Sequence, residues 1–182
     1  MDSLPAKNFA IEANGWSAAA VSGLQIASLR YFDRTGSFAA AVSEALGQPL
    51  PEPRRVIDAR HSAGDGRVML AWRSPTETML VCENSAAFAD LERRLAGATG
   101  GCMVDMTGGI SVTRLRGPQV RDLLLRLGAQ SAIPRVGEAL SGRCAEVSAL
   151  TACIQEGEYL CFVERVYAAH VLEWIRMTAA DF

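Results

Sequence analysis

Apolar positions along this chain recur with two periods, and the switches between them mark a succession of strands and helices. Leu24, Ile26, Ala27, Leu29 and Tyr31 form a strand-like run that ends at the turn-forming Asp33-Arg34-Thr35-Gly36. Phe38, Ala41, Val42, Ala45 and Leu46 then return at helical spacing, which predicts a helix capped at Ser37 and stopped by Gly47. Pro49 to Pro53 reads as an extended connector. Val56–Ala59 and Val68–Trp72 read as strands around a Gly64-Asp65-Gly66 turn, and Trp72–Val81 as a hairpin turning at Ser74-Pro75-Thr76. Asn84 or Ser85 caps a second helix with Phe88, Leu91 and Leu95 on one face and Glu92, Arg93 and Arg94 on the other.

The order then begins again. Cys102–Asp105 is a short strand or link, and Ile110–Leu115 alternates as a strand. Pro118 follows Gly117 at an expected first helical position, and Val120, Leu123, Leu124 and Leu127 make an apolar stripe up to Gly128. Cys144–Val147, Leu150–Ile154 and Tyr159–Val163 read as strands, with Glu156-Gly157 turning the last hairpin. A final helix runs from about Tyr167 to Met177 and turns Val171, Trp174 and Ile175 inward.

The two passes share a register offset of about 81 positions: Gly36 falls on Gly117, Leu46-Gly47 on Leu127-Gly128, Glu77 on Glu158 and Leu91-Glu92 on Leu172-Glu173. A β-α-β-β-α unit covers one sheet face with helices and leaves the other apolar, so two such units bury those surfaces together. The expected fold is α+β, two similar halves fused into one pseudo-symmetric body. Its parts are an N-terminal extension over residues 1–20, a first half over 21–101 and a second over 102–182.

Composition narrows the function classes. The 182 residues carry 18 basic and 20 acidic side chains, and a net charge near −2 gives no field suited to a phosphate backbone, so no nucleic-acid partner is expected. No apolar stretch is long enough to cross a bilayer, and the N-terminus lacks the pattern of a signal peptide; a cytoplasmic location is expected, without membrane contact. Cys82, Cys102, Cys144, Cys153 and Cys161 include no Cys-x-x-Cys pair and sit in apolar runs, where reduced thiols pack as small hydrophobes. His61 and His170 stand at no ligand spacing from them, so no metal site is expected.

The motif search finds no Rossmann glycine pattern, no phosphate-binding Gly-x-x-x-x-Gly-Lys and no Gly-x-Ser-x-Gly elbow. No catalytic residue is assigned. The most site-like segment is Asp105-Met106-Thr107-Gly108-Gly109, where a carboxylate suited to a cationic or amine-bearing ring stands in a flexible turn; the same carboxylate also suits the turn's own amides. Arg114, Arg116, Arg121, Arg126 and Arg135 gather in sequence and suit either a carboxylate clamp or a solvated face of local ion pairs.

Trp72-Arg73-Ser74-Pro75-Thr76-Glu77-Thr78-Met79-Leu80-Val81, then Val104-Asp105-Met106-Thr107, then Leu115-Arg116-Gly117-Pro118-Gln119-Val120-Arg121-Asp122-Leu123-Leu124, and the ending Val171-Leu172-Glu173-Trp174-Ile175 come in an order that resembles the gamma subunit of heterotetrameric sarcosine oxidase. The resemblance spans roughly residues 20–178. It implies an aminomethyltransferase-like folate-binding fold, shared with tRNA-modification GTPase N-terminal domains. It also implies a non-catalytic subunit of a complex that oxidises sarcosine or a related N-methyl amine. FAD, FMN, NAD and tetrahydrofolate then belong to alpha and beta partner subunits, zinc to a delta subunit, and none of them to this chain. Gly128 to Gly137 departs from the family's Asp-Leu-His-Pro stretch, and Asp105 lacks the family's nearby Ser and His, which leaves the particular N-methyl amine open. The alternative reading is a free-standing folate-binding or aminomethyl-transfer protein. A subunit also needs an apolar docking patch, for which Phe9, Trp16 and Phe182 are the candidates.

Overall fold

Two antiparallel sheets organise the chain, each around the same order of strands and helices. The structure is a computed structural model, described here for residues 9–60, 67–129 and 133–182; the His61 loop with Gly64-Asp65-Gly66 lies outside the described residues. In chain order the strands and helices are β1 (Ala10–Ala13), β2 (Trp16–Val21), β3 (Gln25–Tyr31), α1 (Ser37–Leu46), β4 (Val56–Arg60), β5 (Arg67–Ser74), β6 (Glu77–Cys82), α2 (Ser85–Leu95) and β7 (Gly101–Asp105). Then follow β8 (Ile110–Arg116), α3 (Val120–Arg126), β9 (Ala139–Cys144), β10 (Val147–Gln155), β11 (Glu158–Glu164) and α4 (Ala168–Ala179), the last preceded by a 3₁₀ turn over Arg165–Tyr167.

The chain divides into a first unit, Gly23–Thr107, and a second unit, Met1–Ser22 with Gly108–Phe182. The first holds a five-stranded sheet ordered β4-β5-β6-β3-β7, and the second a six-stranded sheet ordered β1-β2-β8-β11-β10-β9. The strand over 102–105, read from the sequence as a strand or link between halves, hydrogen-bonds along β3. Residues 10–21, read largely as an extension, form the β1–β2 hairpin on the β8 edge.

In the first unit, Phe38, Val42 and Leu46 of α1 and Phe88, Leu91 and Leu95 of α2 pack with Leu29, Leu70 and Leu80 of the sheet. In the second, Val120, Leu123 and Leu124 of α3 and Val171, Leu172 and Ile175 of α4 pack with Leu115, Cys161 and Val163. Full burial of each such side chain is worth roughly 1.5–3 kcal/mol, so these stripes hold the helices down more than intrinsic helix propensity does. The opposite faces of the strands are apolar too, with Ile26, Met69, Met79 and Val81 buried in one unit and Val112, Leu150, Leu160 and Phe162 in the other.

The sequence repeat has a literal counterpart in the hairpins. Val68 pairs Cys82 and Ala149 pairs Val163; Leu70 pairs Leu80 and Thr151 pairs Cys161. Both hairpins also break register at one place, between Trp72 and Ser74 and between Cys153 and Gln155. The helix stops repeat as well, Gly47 and Gly128 both standing at positive φ of 64° and 78°.

Local readings differ at three places. Gly36, not Ser37, is the N-cap of α1, with extended backbone and no side-chain cap. α3 begins at Val120, after Pro118, because the chain must first pass Gly15, whose carbonyl accepts the Gln119 N–H at 3.0 Å. Cys144–Val147 is not a strand but the corner of the β9–β10 hairpin: Ala145 and Glu146 carry φ of 51° and 64°, the geometry of a two-residue type I′ turn without its usual Asn or Gly.

Candidate functional site

The turn after β7 is built by its own short polar side chains. Asp105 is exposed at the strand end, and one of its carboxylate oxygens accepts the Thr107 N–H at 2.8 Å, an Asx turn. The Met106 N–H donates to the Ile26 carbonyl at 2.8 Å, and the Thr107 hydroxyl oxygen accepts the Ile26 N–H at 3.1 Å. The turn is thereby fastened to the start of β3, and one of Asp105's two carboxylate oxygens serves it.

The five arginines are dispersed rather than gathered into a clamp. Arg114 and Arg116 share one face of β8 and meet Glu158 at 3.4 and 3.0 Å, while Gln155 donates to the other Glu158 oxygen at 2.8 Å. Arg126 reaches Asp181 at 3.9 Å and lies over the Phe182 ring, 4.7 Å from its centroid. The Arg135 N–H donates to Glu138 in a separate turn. Glu77, the counterpart of Glu158, accepts from the Ser28 hydroxyl at 2.6 Å and from Arg73 at 2.9 Å. Each carboxylate ties the corner of its own hairpin to the neighbouring strand.

Four cysteines are buried as the apolar runs predict, but Cys102 is exposed, on the strand that ends the sheet among the described residues. Burial raises the Cys82 and Cys153 thiols above the ordinary range. The hydrogen bond that Cys161 donates to Cys144, together with burial, holds Cys161 protonated well above it, while the same bond lowers its acceptor Cys144. Thiols held protonated are poor nucleophiles. Among the described residues no group of three or more His, Cys, Asp or Glu side chains is placed to hold a metal. His170 is tied to structure through a 2.9 Å hydrogen bond between Nε2 and the Ala145 carbonyl, next to the strained β9–β10 corner.

The aromatic docking candidates are displaced. Trp16 is only 3% exposed, its ring meeting Phe182 edge-on at 5.6 Å, and Phe9 and Phe182 pack against the same core. The reason is β1 and β2: once these strands join β8, Trp16 falls on the helix-covered face. The large apolar side chains that stand in solvent are others, foremost Phe32 at 92% exposure and Val166 at 79%. Phe32 adjoins a cleft of about 770 Å³ whose lining includes Arg30, Glu77, Thr99, Gly101 and Cys102. Periodicity hid this site, since Phe32 directly continues the apolar run that ends at Tyr31.

The profile described as "Sarcosine oxidase, gamma subunit family" matches residues 33–181. The chain belongs to the sarcosine oxidase gamma subunit family. No curated protein sequence matches it. Among solved structures it is similar to a chain of the heterotetrameric sarcosine oxidase from Corynebacterium sp. U-96 in complex with pyrrole 2-carboxylate. That match has 21% identity and a TM-score of 0.77, covering 97% of this chain and 89% of that one. It is also similar to the glycine cleavage system aminomethyltransferase T from Bartonella henselae, with 15% identity and a TM-score of 0.71 over 88% of this chain and 45% of that one. These likenesses establish the aminomethyltransferase-like fold of this chain. No helix among the described residues is long and apolar enough to cross a membrane.

Proposed function

We propose that this chain is the non-catalytic gamma subunit of a heterotetrameric, flavin-dependent oxidase or dehydrogenase of sarcosine or a related N-methyl amine. The observation that carries the reading is the family match over residues 33–181, which takes in both α1–β7 and the whole β8–α4 repeat. The chemistry of the described residues supports it: the Cys82, Cys153 and Cys161 thiols are held protonated, Arg114, Arg116 and Arg126 pair with local carboxylates, and Asp105 serves its own turn. In this reading FAD, FMN, NAD and tetrahydrofolate reside in the alpha and beta partners, zinc in the delta partner, and the assembly works in the cytoplasm.

Co-purification tests it. The tagged chain, expressed from its native locus, is expected to bring down larger subunits whose absorbance shows bound flavin. Recovery of the chain alone contradicts the reading. The alternative, a free-standing folate-binding or aminomethyl-transfer protein, rests on Asp105 as the carboxylate for an amine-bearing ring. Calorimetry with tetrahydrofolate on the wild type and on Asp105→Asn decides its part, and equal heats for the two remove it.

A further inference from the structure

The two sheets share a register but not an ending. On the β8 side of the second unit, β2 is followed by β1, and the Phe9 carbonyl just ahead of β1 accepts the Ala20 N–H at 2.9 Å; main-chain alternation places Ala18 on the same side. In the first unit β7 takes the place of β2, antiparallel to β3, and among the described residues no strand follows it.

The hydrogen-bond pattern identifies which groups β7 leaves unused. The Phe32 N–H donates to the Gly100 carbonyl at 3.1 Å and the Met106 N–H to the Ile26 carbonyl at 2.8 Å. Residues 100 and 106 therefore face β3, and by the two-residue period Cys102 and Val104 do as well. The main-chain N–H and C=O groups of Gly101, Met103 and Asp105 point the other way. Among the described residues none of them has a hydrogen-bond partner. Unpaired main-chain groups in a row form a template for another strand.

The surroundings suit a guest. Cys102 and Asp105 are exposed, so the edge is open to solvent. Phe32, almost wholly exposed, stands at the head of β7, beside the 770 Å³ cleft that Gly101 and Cys102 help to line. Gly101 itself is fixed by packing, since a methyl group there would lie 2.5 Å from both the Arg30 carbonyl and the Phe38 ring. An aromatic side chain left in water at the end of an open edge is an anchor of the kind that interfaces bury.

We propose that β7 accepts an extended segment of a partner subunit as a sixth strand, antiparallel to β7, as β1 adds to β2, with an apolar side chain of that segment seated in the cleft against Phe32. The proposal rests on the reading of the chain as a subunit of a complex. Its occupant is a strand of a partner subunit, because among the described residues no strand of this chain takes the place beside β7 that β1 takes beside β2, and the subunit reading supplies larger polypeptides that could.

Two variants test it in the co-expressed complex. Met103→Pro removes an N–H that faces away from β3, which an edge strand tolerates, and Phe32→Ser removes the anchor without touching the core. Both chains are expected to fold as the wild type does by circular dichroism, while retention of the larger subunits falls about ten-fold or more. Val104→Pro, which removes an inward N–H, is expected to damage the fold itself. Should Met103→Pro fail to fold, Phe32→Ser decides alone. If the foldable variants retain the larger subunits as well as the wild type, the edge proposal is overturned while the subunit reading stands. A wild-type chain that captures no flavin-bearing subunit overturns both. Light scattering that shows an isolated dimer, split by Met103→Pro, overturns the choice of partner in favour of a second copy.

Discussion

The first and second units are two versions of one design, and they differ where the chain enters and leaves the repeat. Their central hairpins agree pair by pair, down to the shared register break. Their junctions do not. In the first unit the passage from β3 to α1 uses Phe32–Gly36, whereas in the second β8 reaches α3 through only Gly117–Gln119. The short passage is pressed against the β1–β2 turn, and the long one leaves Phe32 in solvent. The repeat is kept in the parts whose side chains fill a core and is lost in the connections.

The largest effect is expected at the glycine of that junction. Gly117 has φ of 128°, and a methyl group there would lie 2.7 Å from the Trp16 Cα and closer still to the Gly15 carbonyl oxygen. Gly117→Ala is therefore expected to cost about 3 kcal/mol or more in urea denaturation, from strain and steric overlap together. Its counterpart Gly36 has φ of −76°, so Gly36→Ala is expected to cost no more than about 1 kcal/mol. Equal losses at the two positions break the comparison.

The helix caps give the next contrast. The Asn84 side chain accepts the N–H groups of Ala86 and Ala87 at 2.9 and 3.1 Å, while α4 has no side-chain cap. Asn84→Ala is expected to cost about 1 kcal/mol by the same measurement, and Arg165→Ala at the corresponding position close to nothing.

A pH series separates the units further. Cys82 in the first unit and Cys153 in the second have folded-state pKa values raised by burial. A raised value means that the folded chain holds the proton more tightly than the unfolded one. Their contribution is full below the unfolded thiol range, near pH ~8.5, and is lost as pH rises through that range toward the folded values. The urea midpoint is expected to fall above that range. Cys82→Val, which copies the Val163 of the second unit, should flatten part of the fall, and an unchanged slope argues against burial as its cause.

The smallest effect is a gain. Glu146→Gly relieves a side chain at φ of 64° in the β9–β10 corner and gives up only an exposed ion pair with Arg143, so stability is expected to rise by about 0.5 kcal/mol.

Much of this architecture was legible because helix stops and hairpin turns carry strong local chemistry. Gly47, Gly128, Asn84 and Glu156-Gly157 all do in the structure what their residue types favour. β9 was missed because Ser141-Gly142 interrupts its pattern, and its corner was misread because Ala145-Glu146 is a turn without turn residues. That corner is held from outside, by the Ala145 N–H on the Leu127 carbonyl at 2.7 Å and by His170 on the Ala145 carbonyl. β2 hid in Trp16-Ser17-Ala18-Ala19-Ala20-Val21, whose small side chains blur the alternation. The Asp105 turn was legible as a turn. The open edge beside it was not, because whether a strand has a neighbour depends on pairing across the sheet and not on the strand's own residues.

The central claim is that equivalent strands differ in having an outer partner, and amide hydrogen exchange reads this residue by residue. In the isolated chain the outward amides of β2, at Ala18 and Ala20, should be protected, while those of β7, at Gly101, Met103 and Asp105, should exchange at nearly the rate of an unstructured peptide. On assembly with the larger subunits the β7 amides should become protected as the β2 amides already are. Amides of Gly101, Met103 and Asp105 that are protected in the isolated monomer, or that still exchange freely in the full complex, would contradict the account.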